Sequence, residues 1–382
     1  MDASTSDEDY QDRILPHVSR TFALTIPQLP EALRTPVTNA YLLCRIADTI
    51  EDETTVSASA TLDLLHRFVG VLCGREEAGQ LTRDLLPALS DRTLAAERDL
   101  ALNMGRVVRV ARTFGEQQRS AIQRCLELMC SGMHQFQQTA SLRGLPRSSD
   151  LNDYCYYVAG VVGQMLTELF CAYSPQINAR RSALHELAVS FAQGLQMTNI
   201  LKDIWEDRRR GACWLPQEVF SRHGVELEPL RVGETDARFD AAMRELIGVA
   251  HAHLRDALSY TLLIPRNETG IRRFCLWAIG LAVLTLRKIH RTPGYTSGSQ
   301  VKVSRRSVAL TQLLTNVSIR SDWMLRTLFE RASSGLPLAS VSSVARRPPR
   351  AAVHLIKTEF GHGPLHVTQD RSARRSEGRS GL

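Results

Sequence analysis

The amino-acid sequence predicts an all-α protein, and three observations support this fold class. Long stretches, largely free of proline, carry apolar residues three or four positions apart, which is the spacing of one helix face. Sustained alternation of apolar and polar residues, which is typical of strands, is scarce. Clusters of glycine, proline and serine separate many of the stretches. The expected helical stretches, in chain order, are 32–53, 57–75, 92–113, 115–141, 150–173, 179–208, 236–262, 268–290 and 304–333.

The clearest breaks fall between the later stretches. "GLPRSSD" at 144–150 separates the fourth from the fifth, and "RRRGACWLPQ" at 208–217 follows the sixth, where Gly211 is expected to end the helix. "TPGYTSGSQ" at 292–300 follows the eighth stretch, and "RRPPR" at 346–350 follows the last. None of these breaks is long enough to divide the helical body. We therefore expect one helical domain over residues 1–344 and a tail over 345–382.

Length and composition fit a globular protein, since 382 residues with 43% apolar content are enough to bury a substantial core. The N-terminal "MDASTSDEDYQDR" is polar and acidic, unlike a secretory signal. The longest apolar run, 274–286, has 13 residues, against the roughly 20 that a membrane-spanning helix needs. The eight cysteines show no paired metal-ligand spacing. These features predict a cytoplasmic protein with reduced thiols and no membrane span.

The net charge of +7 is concentrated at the C-terminus, because eight Lys/Arg residues against three acids give residues 345–382 a charge of +5 and leave +2 elsewhere. This composition predicts a partly disordered tail. It is either a solvated appendage or a segment attracted to an anionic membrane surface. Nucleic-acid binding is not expected, because the basic residues lack interleaved aromatics and no binding motif is present.

Two pairs of aspartates share one spacing. Asp48 and Asp52 in "DTIED", and Asp203 and Asp207 in "NILKDIWED", are four residues apart and project from one face of a helix. A lone pair of this kind ordinarily marks a solvated acidic face. Here both pairs follow apolar runs, so the carboxylates need a compensating cation. Mg²⁺ favours oxygen ligands and combines one or two carboxylates with water and substrate phosphates, which predicts a diphosphate site between two facing acidic helices.

Three basic residues lie beside these pairs in the sequence: Arg20 in "HVSRTF", Arg45 one turn before Asp48, and Lys202 next to Asp203. Each could contact phosphate oxygens. Each could equally form an ordinary surface ion pair.

With these motifs in place, the chain resembles the squalene and phytoene synthases, and within that family is most similar to the squalene synthases. The resemblance runs through "VSRTFALTI", "YLLCRIADTIEDE", "DYCYYVAGVVGQML", "GLQMTNILKDIWEDRRRG", "LPQEVF", "RRFCLWAIGLAVLTL" and "VKVSRRS", in family order over some 300 residues. It implies a class I isoprenoid synthase fold with a deep apolar pocket and acidic helices at its mouth. The implied reaction joins two farnesyl diphosphate molecules through presqualene diphosphate with Mg²⁺, and NADPH then delivers hydride to form squalene.

The resemblance also assigns roles by position. Tyr157 matches the tyrosine that handles a proton or stabilises the carbocation; from the residues alone, a packed tyrosine with a satisfied hydroxyl is the ordinary interpretation. The expected metal-binding residues are Asp48, Asp52, Asn199, Asp203 and Asp207. The expected substrate-binding residues are Arg20, Thr21, Phe22, Tyr41, Arg45, Gln196, Lys202 and Phe274. NADPH is expected at Asn199, Lys302 and Arg305, of which the last two could also be solvent-facing charges.

One position departs from the family pattern. Ala212 follows Gly211 where a basic residue is common, and a neighbour among 208–210 could take its place. Two alternatives to a complete squalene synthase stay open. The first is an enzyme that stops at presqualene diphosphate or makes a dehydrosqualene- or phytoene-type product without NADPH; the second is a non-catalytic prenyl-binding or scaffold protein. The chain is expected to act as a monomer.

Overall fold

The computed structural model describes residues 6–19, 21–53, 55–339 and 349, and these ranges are helical throughout with no β-strand; Leu145 and Pro216 form an isolated bridge. The predicted all-α class is confirmed. The helices are α1 (Asp7–Val18), α2 (Thr21–Thr25), α3 (Glu31–Glu51), α4 (Ala58–Leu72), α5 (Ala78–Leu85), α6 (Ala95–Leu102), α7 (Met104–Thr113), α8 (Glu116–Thr139), α9 (Ser148–Cys155), α10 (Val161–Tyr173), α11 (Pro175–Asn178), α12 (Arg181–Lys202), α13 (Ile204–Arg209), α14 (Gln217–Arg222), α15 (Ala237–Leu263), α16 (Thr269–Arg291), α17 (Arg305–Ser318) and α18 (Asp322–Ser333).

Three stretches predicted as single helices are interrupted. Residues 92–113 divide into α6 and α7 at Asn103, whose side-chain amide donates to the Asp99 carbonyl oxygen at 2.9 Å and so competes with the helical pattern. Residues 179–208 divide into α12 and α13 at Asp203, where the backbone leaves helical geometry with φ −103° and ψ 17°. Residues 304–333 divide into α17 and α18. Ser321 is the N-cap of α18, and its hydroxyl accepts from the Met324 N–H.

The centre of the fold is α12, which packs most extensively on α15 and also contacts α10 and α16. Between α9 and α10 the backbone forms a π-helical segment over Tyr156–Gly160, a feature that often occurs at functional sites. Gly163 allows α10 to pack closely on α12, because a side chain there would overlap the Ala188 carbonyl oxygen. This arrangement places the π-helical segment directly against the helix that ends at the second acidic pair.

Two helical stretches, Ser148–Tyr173 and Thr269–Arg291, are long and apolar enough to cross a membrane. Their most apolar windows are 56% and 61% buried inside the protein, as in the core of a helical bundle. The expectation of no membrane span stays a prediction. The eight cysteines all lie in the described ranges, where none forms a disulfide.

The predicted division into 1–344 and 345–382 also stays a prediction, because the tail, apart from Pro349, lies outside the described residues.

Candidate active site

The first acidic pair lies at the C-terminal end of α3. Asp52 caps the helix, and its backbone N–H donates to the Asp48 carbonyl at 2.8 Å, so both side chains stay on one face as predicted. Arg45 is half-buried one turn earlier, with Nη1 3.7 Å from Asp48 Oδ2, and it also forms an ion pair with Glu97 on α6. The interpretation of Arg45 as an ion-pair residue is therefore correct for this structure, and its phosphate role stays a prediction.

The second acidic pair lies where α12 gives way to α13. Asp203 ends α12, and the Asp207 N–H donates to the Asp203 carbonyl at 2.9 Å, which keeps the four-residue relationship through the interruption. Lys202 Nζ lies 3.0 Å from Asp203 Oδ2 and 3.5 Å from the side-chain oxygen of Asn199. Asn199 is exposed one turn before Asp203, and Gln196 is half-buried on the same helix.

The two pairs are brought together in space, and Arg210 is the residue that joins them. Its guanidinium lies 3.6 Å from Asp52 Oδ1 and its charge also acts on Asp203 and Asp207. Of the three arginines that could replace a basic residue at 212, Arg210 is thus the one paired with an aspartate of the site. Arg209 lies 3.8 Å from Glu206, and the Arg208 guanidinium donates to the Leu230 carbonyl at 2.6 Å.

Burial and neighbouring carboxylates disfavour the ionised forms of the aspartates despite the nearby cations. Burial, together with the charges of Asp52 and Glu97 and against the opposing effect of Arg45, raises the pKa of Asp48 to about 7. Burial, followed by the charges of Asp203 and Asp52, raises the pKa of Asp207 to about 7. Because the charge of Asp52 raises the pKa of Asp207 across the gap between the two pairs, an additional cation would stabilise the ionised forms.

Mg²⁺ fits this donor set. Within the described ranges no three His, Cys, Asp or Glu side chains are close enough to enclose a metal ion by themselves. The chain offers carboxylate and amide oxygens on two facing elements, which suits an ion that retains waters and takes phosphate oxygens as its remaining ligands. The residues that would hold it are Asp48, Asp52, Asn199, Asp203 and Asp207.

The loop between α16 and α17 packs against the segment that carries Asp203 and Asp207. From the sequence, "TPGYTSGSQ" was predicted only as a break, and this contact was missed. Trp205 Nε1 donates to the Tyr295 carbonyl at 2.5 Å, and the Tyr295 hydroxyl donates to the Leu201 carbonyl. Glu206 Oε1 accepts from the Ser297 hydroxyl at 3.0 Å and from the Gly298 N–H at 3.1 Å. The loop is therefore fastened on both sides of Asp203.

Gly298 is the point of closest approach in this loop. A Cβ at Gly298 would lie 2.6 Å from Asp203 Oδ1 and 3.1 Å from the Lys202 carbonyl oxygen. Only glycine allows the loop backbone this near to the carboxylate. The sequence signal was weak, since a glycine in a loop rich in serine and threonine suggests a turn rather than a contact.

Aromatic residues form an apolar wall beside α3. The ring of Phe22 lies 4.8 Å from that of Tyr41 and 6.3 Å from that of Phe274, which in turn contacts Phe170 edge-on at 6.2 Å. The Tyr41 hydroxyl donates to the Val18 carbonyl at 3.0 Å, so its ring faces Phe22 while its polar end is satisfied. Three predicted substrate residues, Phe22, Tyr41 and Phe274, thus lie together.

Tyr157 lies in the π-helical segment with 2% of its surface exposed, and its buried hydroxyl has no hydrogen-bond partner in the described part of the chain. Burial raises its pKa to about 12, so the hydroxyl is neutral at neutral pH. The expectation of a satisfied hydroxyl fails for Tyr157, whereas the Tyr156 hydroxyl donates to Gln164 at 3.2 Å. Gly132 on α8 makes room for the Tyr157 ring, which any side chain there would overlap.

The structure leaves the remaining predicted residues further apart or outside the described ranges. Arg20 falls outside them. Thr21 is exposed at the start of α2. Lys302 and Arg305 are both exposed. Lys302 contacts the loop at Gly298 through its backbone, since its N–H donates to the Ser299 carbonyl at 3.4 Å.

Curated relatives are squalene synthases. That of Candida albicans is 30% identical over 285 residues, which cover 73% of this chain and 61% of that protein. That of Schizosaccharomyces pombe is 28% identical over 321 residues, covering 82% of this chain and 66% of the relative. The chain therefore spans less than two thirds of the length of these relatives.

Solved structures share the architecture. TcSQS in complex with a ligand superimposes with a TM-score of 0.70 at 22% identity, covering 92% of this chain and 96% of that one. A dehydrosqualene synthase in complex with a ligand gives a TM-score of 0.57 at 21% identity, covering 82% and 97%. At these identities the likeness concerns the fold alone, and it confirms the predicted isoprenoid synthase fold.

A family model described as squalene/phytoene synthase matches residues 15–307, a range that contains both acidic pairs, the aromatic wall, Tyr157 and the loop at Gly298. The match covers most of the chain, and the resemblance drawn from the sequence motifs is confirmed: the chain belongs to the squalene/phytoene synthase family.

Proposed function

We propose that the protein is a prenyltransferase that condenses two farnesyl diphosphate molecules head to head and converts the product to squalene. The observation that carries the proposal is the convergence of two acidic pairs around Arg210, with their pKa values raised by burial and by one another. A diphosphate with divalent cations supplies the charge that such a site lacks. The named relatives are squalene synthases, which supports the same substrate.

In the first half-reaction, one farnesyl diphosphate loses diphosphate, its C1 bonds to the double bond of the second molecule, and a proton leaves as the cyclopropane ring of presqualene diphosphate closes. Mg²⁺ held by the aspartates would neutralise the departing diphosphate. Arg210 and Lys202 are placed to bind phosphate oxygens, since both already contact the acids at the site. These charges are directed at the atoms where negative charge develops.

The apolar wall of Phe22, Tyr41 and Phe274 supplies the dry surroundings that a carbocation requires. Tyr157 presents a neutral, unpartnered hydroxyl, which can accept the proton released on ring closure or stabilise positive charge through its oxygen. This is why an otherwise unfavourable buried polar group is retained at this position.

In the second half-reaction, presqualene diphosphate loses its diphosphate, rearranges and accepts one hydride, so squalene formation oxidises one NADPH. Lys302 and Arg305 support a cofactor site, because both are exposed cations at the N-terminal end of α17. Asn199 lies exposed one turn before Asp203. These three residues are proposed to bind NADPH, and the membrane attraction of the basic tail is proposed alongside.

The test is extraction of products from labelled farnesyl diphosphate with and without Mg²⁺ and NADPH. We expect diphosphate release and presqualene diphosphate without NADPH, and squalene when it is added. A polyene formed identically with and without NADPH would replace squalene synthesis by the dehydrosqualene- or phytoene-type reaction. No turnover under any condition would favour the scaffold alternative.

Site variants locate the reaction. Asp48→Asn and Asp203→Asn should fold and lose nearly all turnover, whereas Asp63→Asn, an exposed aspartate on α4, should behave as the unchanged protein. Lys302→Ala should impair squalene formation more than presqualene diphosphate formation. Near-normal turnover in both Asp48→Asn and Asp203→Asn would exclude this site.

A further inference from the structure

Helix α17 carries its apolar residues on the outside. Leu310, Leu313, Leu314 and Val317 are 55%, 60%, 41% and 71% exposed, and their spacing of three, four and seven residues aligns them on one face. The buried residues of this helix are the polar Thr315 and Ser318. A helix that faces water has the opposite arrangement, so this face is suited to a less polar environment.

The apolar face continues beyond α17. Trp323, at the start of the adjoining α18, is 74% exposed. We call the four exposed residues of α17 and Trp323 the outer apolar face.

Charge around the outer apolar face has one sign. Between residues 301 and 321 there are four charged residues, all cationic and all exposed: Lys302, Arg305, Arg306 and Arg320. The next acid, Asp322, is already bound by Arg266 at 2.8 Å and Arg272 at 2.9 Å. Apolar side chains, an exposed tryptophan and a surrounding set of cations together are typical of a helix lying in the interface of an anionic membrane.

We propose that the outer apolar face docks the protein on an anionic lipid surface. A second copy of the chain is disfavoured, because a two-fold contact through this face would bring like-charged residues together. Anionic lipid satisfies both the apolar residues and the two cations not assigned to NADPH, Arg306 and Arg320, and this docking does not depend on the reaction proposed above.

Intrinsic fluorescence tests the contact directly. The chain has four tryptophans, and Trp323 is the exposed one, whereas Trp205 and Trp277 are buried and Trp214 is half-buried against Tyr154. On adding vesicles of phosphatidylcholine with phosphatidylglycerol, the emission of the full chain should shift to the blue, and brominated lipid should quench it. Trp323→Phe should remove both responses. A bound protein whose Trp323 emission does not change would overturn the proposal.

Vesicle sedimentation supplies the second measurement. The double variant Leu313→Gln and Val317→Gln should bind anionic vesicles on the order of tenfold more weakly, because two apolar side chains no longer enter the interface. The matched control is Leu94→Gln, at a leucine that is 62% exposed and lies just before α6. This variant should bind vesicles as the unchanged chain does. Neutral phosphatidylcholine vesicles or high salt should weaken binding.

Two results would contradict the docking face. If the double variant binds vesicles as well as the unchanged chain does, the docking face is wrong, and contact through the tail alone would explain the binding. A dimer in the absence of vesicles that the double variant converts to a monomer would also overturn the docking face, since the face would then serve a second copy. The substituted side chains are exposed, so circular dichroism should show unchanged folding in both variants.

Discussion

Replacing Gly298 with alanine tests whether the loop after α16 positions Asp203. The added Cβ would lie 2.6 Å from Asp203 Oδ1, where an ordinary contact is at least 3.4 Å, so one of the two must retreat by about 0.8 Å. Either the carboxylate rotates, or the loop rises and weakens the hydrogen bonds from Ser297 and Gly298 to Glu206. Both responses move the second acidic element.

The magnitude follows from that displacement. A shift of about 1 Å in a positioned group can lower turnover on the order of 100-fold, so about 0.8 Å at Asp203, a carboxylate proposed to bind metal, should lower kcat/KM by about 10- to 100-fold. The free energy of unfolding should change less, by about 1 kcal/mol, because an off-rotamer aspartate or a strained loop hydrogen bond costs about that amount. The variant should therefore stay folded while losing activity.

The assay is diphosphate release from farnesyl diphosphate across a titration of Mg²⁺. Gly298→Ala should require more Mg²⁺ for half-maximal turnover and should recover part of its rate at high Mg²⁺. Gly115→Ala is the matched control, because a Cβ there meets no atom within 4 Å and the residue has extended backbone geometry. If Gly298→Ala shows the same Mg²⁺ dependence and rate as Gly115→Ala, the reasoning is refuted.

Three further predictions concern other parts of the protein. Tyr157→Phe should lower kcat on the order of tenfold or more while leaving the thermal midpoint unchanged, because the lost hydroxyl has no partner. Arg272→Met should lower the free energy of unfolding in urea by about 3 kcal/mol, since it removes a cation that is 1% exposed, whereas Arg266→Met, at 66% exposed, should cost little. Asp7→Asn should make the free energy of unfolding depend less on pH in the acid range. In the folded chain the Arg109 hydrogen bond lowers the pKa of Asp7 below 3.8, so the stabilisation by its ionised carboxylate is present above that pH and is lost as pH falls. Urea unfolding from about pH 3 to 6 measures this difference, and parallel curves would contradict it.

Short-range sequence patterns were enough to predict the fold class and the two acidic pairs. Helical periodicity is a short-range property, and the four-residue spacing of Asp48 with Asp52 and of Asp203 with Asp207 survives even where a helix ends, because the i to i−4 backbone hydrogen bond persists. The family could be recognised from the sequence for the same reason, because its motifs are continuous segments.

Interruptions within predicted helices were less accessible. Asn103 and Asp203 end helices through their individual backbone and side-chain geometry, and their neighbours continue the apolar spacing on either side. Periodicity alone cannot separate two collinear helices from one.

Tertiary packing decided what the individual side chains do. Nothing local in "EDRRRG" distinguishes Arg210, which faces Asp52, from Arg208, which binds backbone carbonyls. The contact of Gly298 with Asp203 and the inverted polarity of α17 depend on elements far apart in the chain. From the sequence alone we could derive the helical class, most of the long helices and the places where carboxylates concentrate, because those depend on neighbours within a few residues. Which charges meet and which apolar face stays uncovered depended on the folded chain, because those contacts join residues 90 or more positions apart or require knowing what every other helix covers.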